Sequence, residues 1–171
     1  MKMEVLKENI VNLNVDIIVN AANKSLLGGG GVDGAIHRAA GKELYEECKK
    51  LGGAKTGEAK MTDGYNLLAK KIIHTVGPVY YDGRHNEKNL LRLCYYNSLK
   101  LAEEYRLENN LPEITIAFPN ISTGVYGYPK EEAADVAIDT VKEFDNKNIR
   151  VIFVCYDQDN YQIYTRKIKE N

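Results

Sequence analysis

The chain predicts a three-layer α/β fold built on a mostly parallel sheet, on three observations. Short apolar runs alternate with longer segments of helical period. The central runs are almost wholly apolar, as strands covered on both faces must be. At 171 residues, 44% of them hydrophobic, the chain suits one compact domain over 1–171.

The elements follow in order. Glu4–Leu6 is a first short strand, and Val15–Asn20 a second, buried one. A helix is expected over Asp33–Leu51, because Ile36, Ala40, Leu44 and Cys48 recur at a spacing of four. Gly52-Gly53 stops it. Between Gly53 and Asn66, the run Glu58–Thr62 reads as an additional strand. Strands then fall at Lys71–Val76, Ile114–Phe118 and Ile149–Cys155, separated by helices over Asn86–Leu107 and Pro129–Phe144. Pro129 with Glu131 and Glu132 marks a helix start, since proline and acidic side chains suit the first turn. A last helix runs over Asp157–Lys169. Repeats, linkers and low-complexity stretches are absent from the sequence.

The formal net charge is −1, from 23 basic and 24 acidic side chains. That balance leaves no electrostatic footprint for general nucleic-acid binding or for an anionic membrane. No apolar run reaches membrane-spanning length, and Met1-Lys2-Met3-Glu4 does not read as a secretion signal. Cys48, Cys94 and Cys155 are odd in number, far apart and set in apolar patterns. They read as buried thiols of a reducing cytoplasm, without metal-ligand spacing. No metal and no cofactor is expected, and the chain reads as a monomer.

Two glycine loops carry the chemistry. In the first, a buried strand leads through Asn20-Ala21-Ala22-Asn23 and Gly28-Gly29-Gly30-Gly31 into a helix. Strand, glycine loop and helix N-terminus together present backbone N–H groups to an anion, with no side chain in the way. Two asparagines and Asp33 share this rim, and an acid beside an anion cradle points to chemistry as well as binding. The second loop, Pro119 to Pro129, also follows a buried strand and precedes a helix. Ser122 and Thr123 add hydroxyl donors there. Ligands of open α/β sheets sit beyond the carboxyl ends of the strands, so the two loops suit two faces of one pyrophosphate. Gly29-x-Gly31-x-x-Gly34 matches the dinucleotide fingerprint formally, but Gly52-Gly53-Ala54 stands where a second strand ending in an acid is required. Neither loop ends in the Gly-Lys-Ser/Thr of a P-loop.

These segments resemble the macro domain family, and within it the MacroD-type ADP-ribosyl hydrolases. The resemblance rests on Val15–Asn23, Gly28–Gly41, Thr56–Ala59, Ile73–Pro78, Ile121–Pro129 and Val154–Asp157, and runs from about Val5 to about Tyr164. It implies a mixed six-stranded sheet between helices. It also implies ADP-ribose as ligand, with hydrolysis of mono-ADP-ribose from acidic side chains of proteins and of the acyl group from O-acetyl-ADP-ribose. A non-catalytic ADP-ribose reader is the alternative. The sequence departs from the family's Gly-Asp-Ile-Thr, for which it has Glu8-Asn9-Ile10-Val11, so Asn9 replaces the aspartate that meets the adenine amino group. Ala54 likewise replaces a cysteine.

The resemblance implies roles for single residues. Asn23 is to hold the distal ribose and Asp33 to activate water, with His37 one helical turn away. The plainer readings are that Asn23 satisfies a turn, a role that fits Asn20 better, that Asp33 is a helix N-cap, and that His37 is packed at the helix start. His74, inside a strand, reads as structural, and His85 as a loop residue without a role. Ligand contact is implied for Asn9, Ile10 and Ala22, and for Gly30, Gly31 and Val32 of the first loop. In the second loop it is implied for Ser122, Thr123, Gly124, Val125, Tyr126 and Gly127. Tyr126 is to cover the distal ribose, and Tyr156 to stack on adenine.

Overall fold

The computed structural model describes residues 2–170; Met1 and Asn171, the ends of the expected domain, lie outside them. The six strands are β1 (Lys2–Lys7), β2 (Ile17–Ala22), β3 (Ala59–Asp63), β4 (Lys71–Val76), β5 (Ile114–Phe118) and β6 (Ile149–Cys155). The five helices are α1 (Gly31–Ala40), α2 (Lys42–Leu51), α3 (Glu87–Glu108), α4 (Lys130–Phe144) and α5 (Gln158–Lys169). A single 3-10 turn covers Ile10–Asn12.

The strands form one sheet in the order β1-β6-β5-β2-β4-β3. All pairs are parallel except β3 on β4, which makes the sheet mixed. Each face carries its own apolar layer. Ile17, Val19, Ile73, Phe118 and Phe153 pack with Leu91, Tyr95 and Leu99 of α3 and with Tyr164 of α5. Ile18, Ala22, Ile72, Val76 and Val154 pack with Ile36 and Ala40 of α1 and with Leu44 and Cys48 of α2. Alternate strand residues point to opposite faces, so both faces of the central strands must be apolar. The three cysteines are all buried, free thiols.

Two expectations about boundaries need correction. The helix expected over Asp33–Leu51 starts two residues earlier and breaks at Gly41. Gly41 has φ of +97°, in the left-handed region, and a Cβ there would stand 2.9 Å from Asn66 Nδ2. The spacing of Ile36, Ala40, Leu44 and Cys48 survives because both helices face the same side of the sheet. The second strand runs over Ile17–Ala22 and not Val15–Asn20. Asp16 is drawn out of the ladder: its carboxylate accepts from Thr115 N at 2.8 Å and its carbonyl from Lys70 N and Lys71 N, both at 3.1 Å. Asn20 therefore lies inside the strand.

Candidate functional site

Four neighbouring parallel strands, β1, β6, β5 and β2, release the chain at the same edge. Their exits supply Glu8, Asn9 and Ile10, then Tyr156 and Asp157, then the loop from Pro119, then Ala22 and Asn23. All of these line one cleft of about 920 Å³. It is the crevice that an open α/β sheet leaves at the carboxyl ends of its strands.

The first glycine loop forms one wall. Gly30 is the N-cap of α1 and has no side chain to cap it, so the first-turn amides are open to the cleft lined by Gly30, Gly31 and Val32. Cβ atoms built on Gly30 and Gly31 would meet nothing within 4 Å, so a ligand can approach the backbone there. The second loop forms the facing wall, with Ser122, Thr123, Gly124, Val125 and Tyr126. It is held in shape by Gly127 N donating to Gly124 O at 3.0 Å and Tyr128 N to Ser122 O at 2.9 Å. The amides of Thr123 to Tyr126 have no backbone partner among the described residues. Both loops thus bring amides without a backbone partner among the described residues to the same cleft.

Asp33 stands between them, at the third position of α1, and is 4% exposed. It is not the N-cap. Its Oδ1 accepts from Asn20 Nδ2 at 2.8 Å, and His37 Nε2 lies 3.5 Å from the same oxygen without a hydrogen bond. A Cβ on Gly29 would lie 3.4 Å from Asp33 Oδ2 and 3.2 Å from Asn23 Nδ2, so acid and amide meet beneath that glycine. Burial raises the pKa of Asp33; hydrogen bonding from Asn20, the charge of His37 and the Asn23 backbone partly offset it.

The turn role expected of Asn20 falls to Asn23. Asn23 holds the turn: its Oδ1 accepts from Ser25 N at 3.1 Å and Ser25 Oγ at 2.6 Å, and its Nδ2 donates to Gly28 O at 2.9 Å. It still lines the cleft. Asn20 caps no turn; it is buried and binds the acid. Nothing in the apolar run Val15–Val19 marks this, because strand register is set by distant partners.

The cleft brings together every expected site residue except two. His37 lies behind Asp33, with its ring under Gly28, and does not line the cleft. Gly127 also does not line it; its φ of +72° shapes the loop from outside. Tyr156 is 82% exposed at the rim, free to offer a ring face. Asn9 Oδ1 accepts from Val11 N at 3.2 Å and caps the 3-10 turn, while the residue still borders the cleft. Ser122 is buried at φ +66°, and its hydroxyl has no partner.

Two clusters have the composition of metal sites, but several of their donor atoms are already engaged. His37, Cys48 and His74 bring donor atoms within 4.8 Å of one another. Both ring nitrogens of His74 already face Asn20 and Thr62, and burial pushes the Cys48 thiol up to about 11. In the loop after β4, Asp82, His85 and Glu87 also cluster. There Glu87 accepts from the amides of Tyr81, Asp82, Gly83 and His85, which fills its carboxylate.

A mixed sheet between helices, with two glycine loops and a buried acid at one strand-end edge, forms a crevice whose backbone amides suit a phosphorylated ligand. The model of the Macro domain matches residues 19–137. A macro domain-containing protein of Chlorobaculum tepidum is 56% identical over 95% of this chain and 93% of its own. The O-acetyl-ADP-ribose deacetylase of Escherichia fergusonii is 50% identical over 99% of this chain and 96% of its own. A mutant macrodomain of Oceanobacillus iheyensis with ADPR superposes with a TM-score of 0.90 at 41% identity, covering 98% of this chain and 92% of that one. The chain belongs to the macro domain family.

Proposed function

We propose that this protein binds ADP-ribose and hydrolyses it from modified proteins, releasing mono-ADP-ribose from acidic side chains and the acyl group from O-acetyl-ADP-ribose. The observation that carries the reading is the Asp33 carboxylate, buried in the cleft lined by both glycine loops, with Asp33 Oδ2 and Asn23 Nδ2 both flanking Gly29. The pyrophosphate lies across the walls, where backbone N–H groups hold it without a lysine. Adenine extends toward Tyr156 and Asn9, and the distal ribose toward Asn23 and Tyr126.

Asp33 acts as general base on a water beside the distal ribose. A base with a raised pKa is a stronger proton acceptor at neutral pH, and general-base catalysis contributes roughly 10²–10⁴ in rate. Placement of the bound ribose supplies much of the rest. The protein works as one domain and one chain, with ADP-ribosylated proteins as partners. Relatives named O-acetyl-ADP-ribose deacetylase and ADP-ribose glycohydrolase support a hydrolase.

The test is to incubate the protein with a protein mono-ADP-ribosylated on acidic side chains and to follow free ADP-ribose. Catalytic release is expected. Tight ADP-ribose binding without release leaves a reader module.

A further inference from the structure

We propose that Thr62, His74 and Asn20 form a hydrogen-bonded line across the sheet that positions the Asp33 carboxylate and fixes its protonation. The inference rests on the hydrolase reading for its catalytic meaning, not for its geometry. Three adjacent strands supply the line. Asn20 of β2 and His74 of β4 are direct partners in the parallel register, and Thr62 lies on β3 beside β4. All three are buried, at 0%, 0% and 2% exposure, on the sheet face covered by α1 and α2.

The direction of every hydrogen bond follows from Asp33. An ionised carboxylate only accepts, so Asn20 must turn its Nδ2 toward Oδ1, at 2.8 Å. The second hydrogen of Nδ2 then points at His74 Nδ1, at 3.1 Å, and that nitrogen must carry the lone pair. The ring proton is therefore on Nε2, which donates to Thr62 Oγ1 at 2.9 Å. The hydroxyl passes its own hydrogen to Asp63 O at 3.2 Å. Burial holds the His74 pKa down to about 3, so the ring stays neutral and can accept.

One atom shows which group sets the direction. Asn20 Oδ1 is buried and has no hydrogen-bond partner. A buried acceptor left unpaired is costly. The amide holds this orientation because the carboxylate demands a donor. The groups that face Asp33 are His37 from its own helix, Cys48 from α2, and His74 from β4 through Asn20. Among the side chains, Asn20 alone hydrogen-bonds the acid, beside a hydrogen bond from the Asn23 backbone.

Breaking the far end should therefore be felt at Asp33. In Thr62→Val the His74 Nε2–H loses its oxygen acceptor and keeps only Cys48 Sγ at 3.8 Å, a weak partner. The ring changes tautomer and turns an N–H toward Asn20. The amide then flips, presents Oδ1 to the ring and to Asp33, and favours the protonated acid. Thr62→Ser and His74→Gln keep a donor and an acceptor in the same order, and His74→Phe keeps neither.

The experiment follows the Asp33 carboxyl by carbon-13 NMR titration in the full chain, beside kcat against pH and ADP-ribose affinity by calorimetry. In Thr62→Val the Asp33 titration should move up by about one pH unit. The acid limb of kcat should move with it, and ADP-ribose Kd should change less than about twofold. In His74→Phe no ring N–H opposes Asn20 Nδ2, so the titration should stay near that of the wild type, as it should in Thr62→Ser and His74→Gln. Thr62→Val exchanges a hydroxyl for a methyl and decides the matter if His74→Phe does not fold. An unmoved Asp33 titration in folded Thr62→Val overturns the proposal. A moved titration in a protein that releases no ADP-ribose upholds the line and overturns the hydrolase reading instead.

Discussion

Asp33→Asn separates a working charge from a structural acceptor, because the two roles predict opposite changes in stability. The amide has the size of the carboxylate, and its oxygen still accepts from Asn20 Nδ2. The charge is what is lost. Asp33 is 4% exposed, and its folded pKa lies above the unfolded value of 3.8 because burial penalises the ion. For an acid with a raised pKa the sign is fixed. Its contribution to stability is complete below 3.8 and declines as pH rises through the folded value. At neutral pH the wild-type protein therefore carries a destabilising charge that Asp33→Asn removes. The melting temperature at pH 7 should rise, by about 2–4 °C for each kcal/mol in a chain of this size. The gain should vanish in acid. Turnover should fall by roughly 10²–10⁴, about 2.7–5.4 kcal/mol in the barrier. ADP-ribose binding should stay within about tenfold, because the base acts mainly in the transition state. Calorimetry, thermal denaturation against pH and ADP-ribose release give the three readings. Full turnover, or a lower melting temperature at pH 7, would refute the argument and leave Asp33 as a structural acceptor.

Three further outcomes are expected. Gly30→Glu should abolish ADP-ribose binding while the fold stays intact by circular dichroism, since φ is −93°, a Cβ meets nothing within 4 Å, and the new carboxylate enters the anion cradle; normal binding would move the pyrophosphate elsewhere. Glu87→Gln should flatten the acid limb of stability. Burial alone would raise the pKa of Glu87, but the amides of Tyr81, His85 and Gly83 outweigh it and hold it at about 2, so its stabilisation is complete above 4.5 and is lost from there down to about 2; melting temperature against pH across that range is the check. Asn9→Asp should tighten ADP-ribose up to roughly fivefold, about 1 kcal/mol, and leave IDP-ribose unchanged, because Asn9 Oδ1 is engaged by Val11 N and a carboxylate adds a second oxygen for the adenine amino group; equal gains for both ligands would show that position 9 does not read the base.

What the sequence reveals of this site is its local part. The strand-to-helix corner at Gly28–Gly31, the second loop after Phe118 and the alternation of elements all follow from residues close together in the chain. What it conceals depends on pairing. Asp16 lies outside the second strand, its carboxylate bonded to Thr115 N 99 residues away, and the strand continues past Asn20 to Ala22, which leaves Asn20 in its interior and not at its end. The His74–Asn20 contact exists only once β2 and β4 are in register, so His74 looks like any buried strand histidine until then. The break at Gly41 is hidden for a different reason: both helices keep their apolar residues on one side, so the period runs unbroken through the interruption.

Several departures from ordinary local rules lie at the edge of the sheet that holds the cleft. Leu26 is wholly buried at φ +63°, and Ser122 is buried at φ +66° with an unpartnered hydroxyl. Asn20 leaves an oxygen unpaired, and Asp33 keeps a carboxylate out of water. Each is unfavourable alone. The sheet makes them tolerable. Ile17, Ile18 and Val19 precede Asn20 at 0% exposure, and Ile72 and Ile73 precede His74 in the same state. Asn20 and His74 are thus extensions of two fully buried, paired strands, and their side chains cannot swing away from the acid without unzipping the middle of the sheet. A carboxylate on a mobile loop would relax toward water and lose its raised pKa. Fixed to a helix start and tied to the central strand through Asn20, it stays buried, where its charge is penalised.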